Sequence, residues 1–368
     1  MFGGMPALSC IPILDIRAPR WVPWLALLAL SGCSSVGYYG QLASGQLHLL
    51  TSREPVAEVI ADPTEDATLR QRLRLAQEAR AFASAELGLP DNRSYRLYSD
   101  IQRPYVVWNV FAAPELSLQP LTHCFPIAGC VAYRGYYSET AAKAEARRLQ
   151  AEGMDVFVGG VEAYSTLGWF DDPILSSMLR WGDQRLAETI FHELAHQRFY
   201  LPDDTAFNES YASFVEREGG RRWREAQGLA DERSLLVEQR EALTRLVLDT
   251  RERLQTLYAS GRPEAELRAG KAAEFDRLRR EYRELRERRW SGKSAFDGWI
   301  EGPLNNAKVL PFGLYDQWVP AFAALFQQLG GNWVAFHARV EKLAALPRVQ
   351  RQQALERLAA GNPPHHRP

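Results

Sequence analysis

The sequence predicts an α+β protein in which a small mixed sheet leads into two adjacent helices, followed by a long antiparallel helical hairpin and a helical C-terminal part. Three observations point there. Short β-branched and aromatic runs, such as Tyr105-Val-Val-Trp-Asn-Val-Phe111, gather in the first half of the chain. A stretch over 183–201, free of Pro and Gly, carries His192-Glu193-Leu194-Ala195-His196 on a helical period and stops at Pro202-Asp203-Asp204. Beyond residue 221 the chain becomes rich in charge with leucines at helical spacing, broken once by Ser260-Gly-Arg-Pro263.

Length and charge narrow the function classes. The 368 residues suffice for one large or two modest domains with a real core. Lys and Arg number 44 against 45 Asp and Glu, and no basic block stands out, so nucleic acid is not an expected partner.

At the N-terminus, Arg17 and Arg20 precede an apolar run, Trp21 to Leu30, that is short for a bilayer span and suits a signal-peptide core. Leu30-Ser31-Gly32-Cys33 resembles a lipobox, which implies cleavage before Cys33 and lipidation of its thiol. Residues 1–32 are thus read as a lipoprotein signal peptide, with Met5 an alternative start, and 33–64 as a lipid-anchored tether that enters a helix near Gly40. Ser34 stands where an Asp would retain such a lipoprotein at the inner membrane, which points to the outer membrane and a chain facing the periplasm. With Cys10 lost in the leader and Cys33 lipidated, Cys124 and Cys130 remain. In an oxidising compartment they are expected to form a disulfide, with two buried thiols as the alternative.

Residues 65–220 form the α+β region that carries the site. Leu69, Leu73, Leu75, Ala79 and Phe82 mark an amphipathic helix over 65–87, ended by Gly88. Strands are expected over 94–98, 105–111, 130–137 and 155–166, and Ser138 caps a helix over 139–152 with Glu139 in its first turn. The helix over 183–201 is followed by a second over 207–216, which Gly219-Gly220 is expected to end. Two amphipathic helices make the hairpin over 221–290, projecting from the preceding region with its mixed charges solvated, inert or serving as a partner-binding arm or lid. Helices over 294–300, 313–329, 333–345 and 348–360 fill 291–361 and complete the cleft, and the Pro- and His-rich 362–368 is expected to be a disordered tail.

Residues four apart on a helix lie one above the other, so His192 and His196 can turn both imidazoles to one divalent cation and leave a coordination position open. Glu193 can then take a proton from water attacking a carbonyl. The next helix offers a third ligand: Glu209 is the candidate and Glu216 the rival. Carbonyl attack creates an oxyanion, for which Tyr315 is the candidate donor and Tyr211 the second, while Asn305 and Asn306 could bond substrate backbone. His337, among Trp333, Phe336 and Val340, reads as a packed or surface histidine.

Taken together, the lipobox, His-Glu-Leu-Ala-His-Gln197, Asn208-Glu209-Ser-Tyr-Ala-Ser-Phe-Val-Glu216 and Ala163-Tyr-Ser-Thr-Leu-Gly-Trp-Phe-Asp-Asp-Pro173 resemble the bacterial family of predicted zinc aminopeptidases of the cell envelope, over most of the mature chain. The Asn-Glu run is similar to that of gluzincin aminopeptidases, whose Glu after Asn binds zinc. The resemblance implies one Zn²⁺ held by His192, His196 and Glu209, with Glu193 as general base and a peptide as substrate. It also implies a thermolysin-like core, a small sheet followed by the metal helix and the Glu helix. Gly159-Gly160-Val161-Glu162-Ala163 resembles, with differences at Val161 and Ala163, the aminopeptidase element whose Glu holds the free amine. Glu162 and neighbouring Tyr164 are therefore substrate-binding candidates, with Asp171 and Asp172 as alternative amine acceptors. An endopeptidase is the second reading, and a non-catalytic envelope scaffold that binds a partner through the hairpin is the third.

Overall fold

The computed structural model describes residues 22–361 except 126–128, 164, 181 and 230–234, with side chains described from residue 37. The expected leader up to residue 21, the Cys33 side chain, Tyr164 and the tail expected over 362–368 lie outside the described residues. The chain divides into two compact units, Met1–Leu47 and His48–Pro368. Helix α1 (Val22–Thr51) supplies the described part of the first unit and ends within the second. Among the described residues no helix is long and apolar enough to cross a membrane.

Part of the segment 33–64, expected to be a tether, is folded within the second unit. Strand β1 (Glu54–Pro55) pairs with β2 (Leu97–Ser99), and helix α2 (Val56–Ala61) buries Val56 and Val59, so 54–61 belong to the second unit's fold. Helix α3 (Ala67–Glu86) starts at Asp66, whose carboxylate accepts from the Leu69 amide at 2.8 Å. Leu73, Ala76, Ala79 and Ala83 form its buried face.

Instead of one mixed sheet there are three small ones. In the first, β2 lies between antiparallel β1 and parallel β8 (Ile174–Leu175). In the second, β3 (Val107–Pro114) runs antiparallel to both β6 (Arg134–Tyr136) and β7 (Met154–Val161). The third is the hairpin of β4 (His123–Phe125) and β5 (Gly129–Val131), whose directly opposed Cys124 and Cys130 are joined by a disulfide. The single strand expected over 130–137 is broken at Ala132 and Tyr133 because its two halves serve different partners, β4 and β3.

Strand β3 is buried on both faces. Helices α4 (Glu139–Ala151) and α10 (Asn306–Tyr315) both pack on β3 and β7, with Phe111 and Ala113 meeting Ala307 and Leu310 of α10. Ser138 caps α4 as expected, accepting from the Ala141 amide at 3.3 Å. Helix α5 (Asp183–Arg198) packs on α3 and on α6 (Thr205–Ala226), which also meets α10 and α11 (Val319–Gln328).

Gly219-Gly220 does not end α6; it lies inside the helix. A Cβ on Gly219 would come within 2.7 Å of Leu87 Cδ1, and one on Gly220 within 2.7 Å of Glu188 Cγ. These glycines permit close helix packing where the sequence suggests termination, at the cost in helix propensity that glycine always carries.

Helices α7 (Leu235–Tyr258) and α8 (Glu264–Trp290) form the hairpin, so 221–226 belong to α6 and not to it. Nor is it a free arm. Its core of Leu243, Val247, Leu254, Phe275, Leu278 and Tyr282 takes in Ile300 from α9 (Asp297–Glu301) and Val309 from α10. Lys271 bonds Asp155 Oδ2 at 2.6 Å and the Glu115 carbonyl at 2.9 Å. The helix expected over 313–329 is split between α10 and α11, and α12 (Trp333–Ala344) and α13 (Arg348–Ala360) follow.

Candidate metal centre

The turn between α5 and α6 is built to hold both helices in one relation. Asn208 accepts from the Leu201 amide at 2.8 Å and donates to the Leu201 carbonyl at 2.6 Å, closing the turn across the first winding of α6. Asp204 caps α6 by accepting from the Phe207 amide and also receives Arg351. Asp203 accepts from the Cys130 amide at 2.7 Å, which docks the disulfide hairpin on the same turn.

Across that turn His192, His196 and Glu209 converge. Glu209 Oε2 lies 3.5 Å from Nε2 of His192 and 3.5 Å from Nε2 of His196. The three form a buried group able to hold a metal ion. Ligand atoms about 2.0–2.1 Å from a tetrahedral ion stand roughly 3.3 Å apart; both Glu209 contacts match that spacing, and all three ligand atoms lie within 4.8 Å of one another. Glu193, also buried, follows the first of these histidines on α5.

Glu216, the rival for third ligand, has a different place. Its Oε2 lies 2.9 Å from Nδ1 of His192, on the far side of the ring from Glu209. Its Oε1 pairs with Arg185, and Arg240 of α7 stands 3.5 Å from the same oxygen. A carboxylate on the second nitrogen fixes a metal-binding imidazole in the tautomer that keeps Nε2 free. On His196, by contrast, buried Nδ1 has no hydrogen-bond partner.

Burial alone would strip charge from this cluster, and the ion pairs oppose it. Burial lowers the His192 pKa, yet hydrogen bonds to Glu209 and Glu216 and the charges of Glu216 and Glu193 carry it to about 10. Burial likewise pushes Glu209 up, but His196 and His192 hold it at about 2. Against its burial, Glu216 stays well below the usual carboxylate range through Arg185, His192 and Arg240. Glu193 is raised, chiefly by burial, with the two histidines pulling it down and Glu209 and Asp172 adding to the rise. His192, His196 and Glu209 are the residues that would hold a cation here, and binding would compete with protonation of His192.

Other residues expected at the site meet varied fates. Tyr315, at the end of α10, stacks beside His192 with ring centroids 6.2 Å apart and planes 20° from parallel. Burial, then Glu209, Tyr133 and Glu193, drive its pKa well above 10, so the phenol keeps its proton. Glu162 follows β7, half-buried, with Oε2 3.9 Å from Arg185 Nε.

The amide groups of Asn305 and Asn306, expected to bond substrate backbone, make hydrogen bonds within the fold. Asn305 caps α10 at the Lys308 amide and donates to the Val156 carbonyl. Fully buried Asn306 donates to the carbonyls of Pro114, Glu115 and Ser117 and accepts from the Tyr258 hydroxyl. Tyr211 is excluded as an oxyanion donor: its hydroxyl is buried 2.9 Å from Nδ1 of His337, whose Nε2 lies 2.9 Å from the Leu87 carbonyl. Buried Asp172 accepts from Thr166 and Gln197, while Asp171 pairs with exposed Arg93.

Arg185, Arg240 and Tyr200 complete the surroundings and were not singled out from the sequence. Arg185 precedes His192 by seven residues, two helical turns along the same face, and that spacing was a usable signal. The Tyr200 ring lies 6.3 Å from His196, four residues before it in the chain. Nothing local points to Arg240, which reaches Glu216 from another element.

Over residues 37–355 the sequence matches the family described as putative aminopeptidase. No curated protein and no solved structure matches it. Since the match spans most of the chain, the protein belongs to that family, and at a coarse level its activity is that of a peptidase.

Proposed function

We propose, with that membership as premise, that this protein is a zinc-dependent peptidase of the cell envelope and that it works as an aminopeptidase. The observation that carries the reading is the convergence of His192, His196 and Glu209 beside buried Glu193. Two imidazoles, one carboxylate and an open position suit a catalytic Zn²⁺, whereas a purely structural site would close with a fourth protein ligand. The ion, when bound, supplies Lewis acidity to a carbonyl and lowers the pKa of water.

The chain's own residues then divide the work. Glu193 takes the proton from the attacking water and passes it to the leaving amine, a task that suits a carboxyl raised by burial. Tyr315 donates its phenolic hydrogen to the developing oxyanion. Glu216, backed by Arg185, accepts from Nδ1 of His192 and so holds Nε2 toward the ion. The order of sheet, histidine helix and Glu helix supports a thermolysin-like, gluzincin-type core.

For an aminopeptidase, a carboxylate must hold the free amine, and Glu162 fills that role at the end of β7. Arg185 already shares its charge at 3.9 Å, and this contact favours an endopeptidase as the second reading. The lipobox supports lipidation at Cys33 and an outer-membrane location facing the periplasm. Zinc content of the purified full chain, with hydrolysis of a free-amine peptide and its N-acetyl twin, tests the reading. One ion per chain and at least about tenfold preference for the free amine are expected. A zinc-loaded chain that cleaves neither peptide sinks the enzyme reading, and equal cleavage of both leaves the endopeptidase.

A further inference from the structure

Between β7 and β8 the chain makes a loop whose base is over-bonded and whose tip is bare. Asp172, only 4% exposed, accepts from the Thr166 amide at 3.0 Å, the Thr166 hydroxyl at 2.7 Å and Gln197 Nε2 at 2.9 Å. The Thr166 hydroxyl oxygen in turn accepts from the Phe170 amide at 3.1 Å, and the Thr166 carbonyl accepts from the Trp169 amide at 3.1 Å. Arg53 donates to the Asp171 carbonyl at 2.8 Å. This framework leaves Trp169 67% and Phe170 46% exposed, the only adjacent pair of exposed aromatics among the described residues of the second unit.

Rigid display of two large aromatics in water is unfavourable unless something covers them, since each ring's burial would contribute roughly 1.5–3 kcal/mol. The loop's anchorage says what. Gln197, which grips Asp172, is the residue after His196. A chain spans at most about 3.3–3.6 Å per residue, so the Phe170 and Trp169 backbones lie within about 7 Å and 11 Å of Asp172. The aromatic tip is therefore tied, through Asp172 and Gln197, to the helix that carries both histidines of the centre.

We propose that Trp169 and Phe170 form the specificity-determining surface of this centre, taking an aromatic or bulky aliphatic side chain of the peptide within a residue or two of the scissile bond. The inference rests on the peptidase reading above and adds the substrate class to it. A bilayer surface is the competing occupant of such a pair, but the bonds that tie the loop to the metal helix favour the substrate.

The test compares the zinc-loaded full chain with Trp169→Ala, Phe170→Ala, and the conservative Trp169→Phe and Phe170→Leu, on peptides matched except for Leu, Phe or Ala beside the scissile bond. The wild-type preference in kcat/KM for Leu and Phe over Ala should fall at least about tenfold in the alanine variants, with the Ala peptide cleaved as before, and should persist in the conservative pair. An unchanged preference, or an equal loss on all peptides, overturns the inference while leaving the peptidase reading intact. If the wild type cleaves none of them, that reading fails and takes this one with it. Reduced binding of Trp169→Ala to anionic phospholipid vesicles with an unaltered peptide preference would assign the tip to the membrane instead.

Discussion

Two helix pairs in this molecule have opposite interiors. Between α7 and α8 the buried core is mainly apolar, built on Leu243, Val247, Leu254, Phe275, Leu278 and Tyr282, with uncharged Gln239, Thr244 and Thr250 as its buried polar members among the described residues of the two helices. Between α5 and α6, Glu193, His196, Glu209 and Glu216 are buried among Ile190, Leu194 and Val215. A buried carboxylate carries a desolvation cost of several kcal/mol unless paired, so a pair of helices needing only cohesion would use leucine throughout. Among its described residues the hairpin buries no charged group of that kind in its core; the α5 and α6 pair buries four titratable groups, of which Glu209 pairs with His192 and His196, and Glu216 with His192. The rear face of α6 supplies a third case, the closed chain of Tyr211, His337 and Leu87, polar and buried yet turned wholly inward. Burial of polar groups marks a site when their bonding atoms converge on a shared point, and marks architecture when they satisfy one another.

The sharpest way to separate the two interiors is to alter one group in each. Glu193→Gln, nearly isosteric, should lower kcat by about 10²–10⁴ with zinc content unchanged, read by steady-state rates alongside metal analysis. Full activity in that variant would remove Glu193 from the chemistry. Leu278→Ala in the hairpin should do the converse, costing about 2–5 kcal/mol of stability by urea unfolding while the rate per folded molecule stays within about twofold. A loss of activity at full folding would mean that the hairpin shapes the centre directly.

The inward-turned triad predicts a pH effect of its own. Burial holds His337 neutral, with a pKa lowered to about 4 from 6.5. The unfolded chain therefore binds a proton more readily than the native one as pH falls from 6.5 toward 4, and stability present above 6.5 is lost across that window. The loss should be about 3 kcal/mol, visible as the difference between wild type and His337→Gln in unfolding free energy at pH 7 and pH 4.5. Parallel curves for the two proteins would refute it. The smallest expected effect belongs to Glu216→Gln, which should weaken zinc by about 10–100-fold in chelator competition, with the fold retained. Unaltered affinity would show that the carboxylate does not set the His192 tautomer.

Much of the centre was legible because it lies within single helices. His192, Glu193 and His196 share one turn, and helical geometry alone carries their mutual placement. Glu209 and Glu216 are seven residues apart and so lie along one face of α6, which is why spacing left them rivals. Packing on α5 brings the first to Nε2 and the second to Nδ1 of the same ring. The pair Gly219-Gly220 was misread as a stop because a glycine needed for contact and one that ends a helix look alike until the neighbour, here Leu87 or Glu188, is known. Asn305 and Asn306 raise a related ambiguity, since an amide that caps a helix or gathers strand carbonyls is the same amide that could hold a substrate.

What the sequence by itself determined is local: the α+β character, the placement of His192 and His196 on one face of α5, the cap at Ser138, and a family signature spread over most of the chain. Only tertiary structure decided which of two carboxylates joins the two Nε2 atoms, that Arg240 reaches the outer one from a different helix, and which tyrosine stacks beside His192. Helical periodicity acts between residues a few positions apart and is written in the spacing. The direction a side chain takes across an interface depends on the shape of what packs against it, and that partner can lie anywhere in the chain.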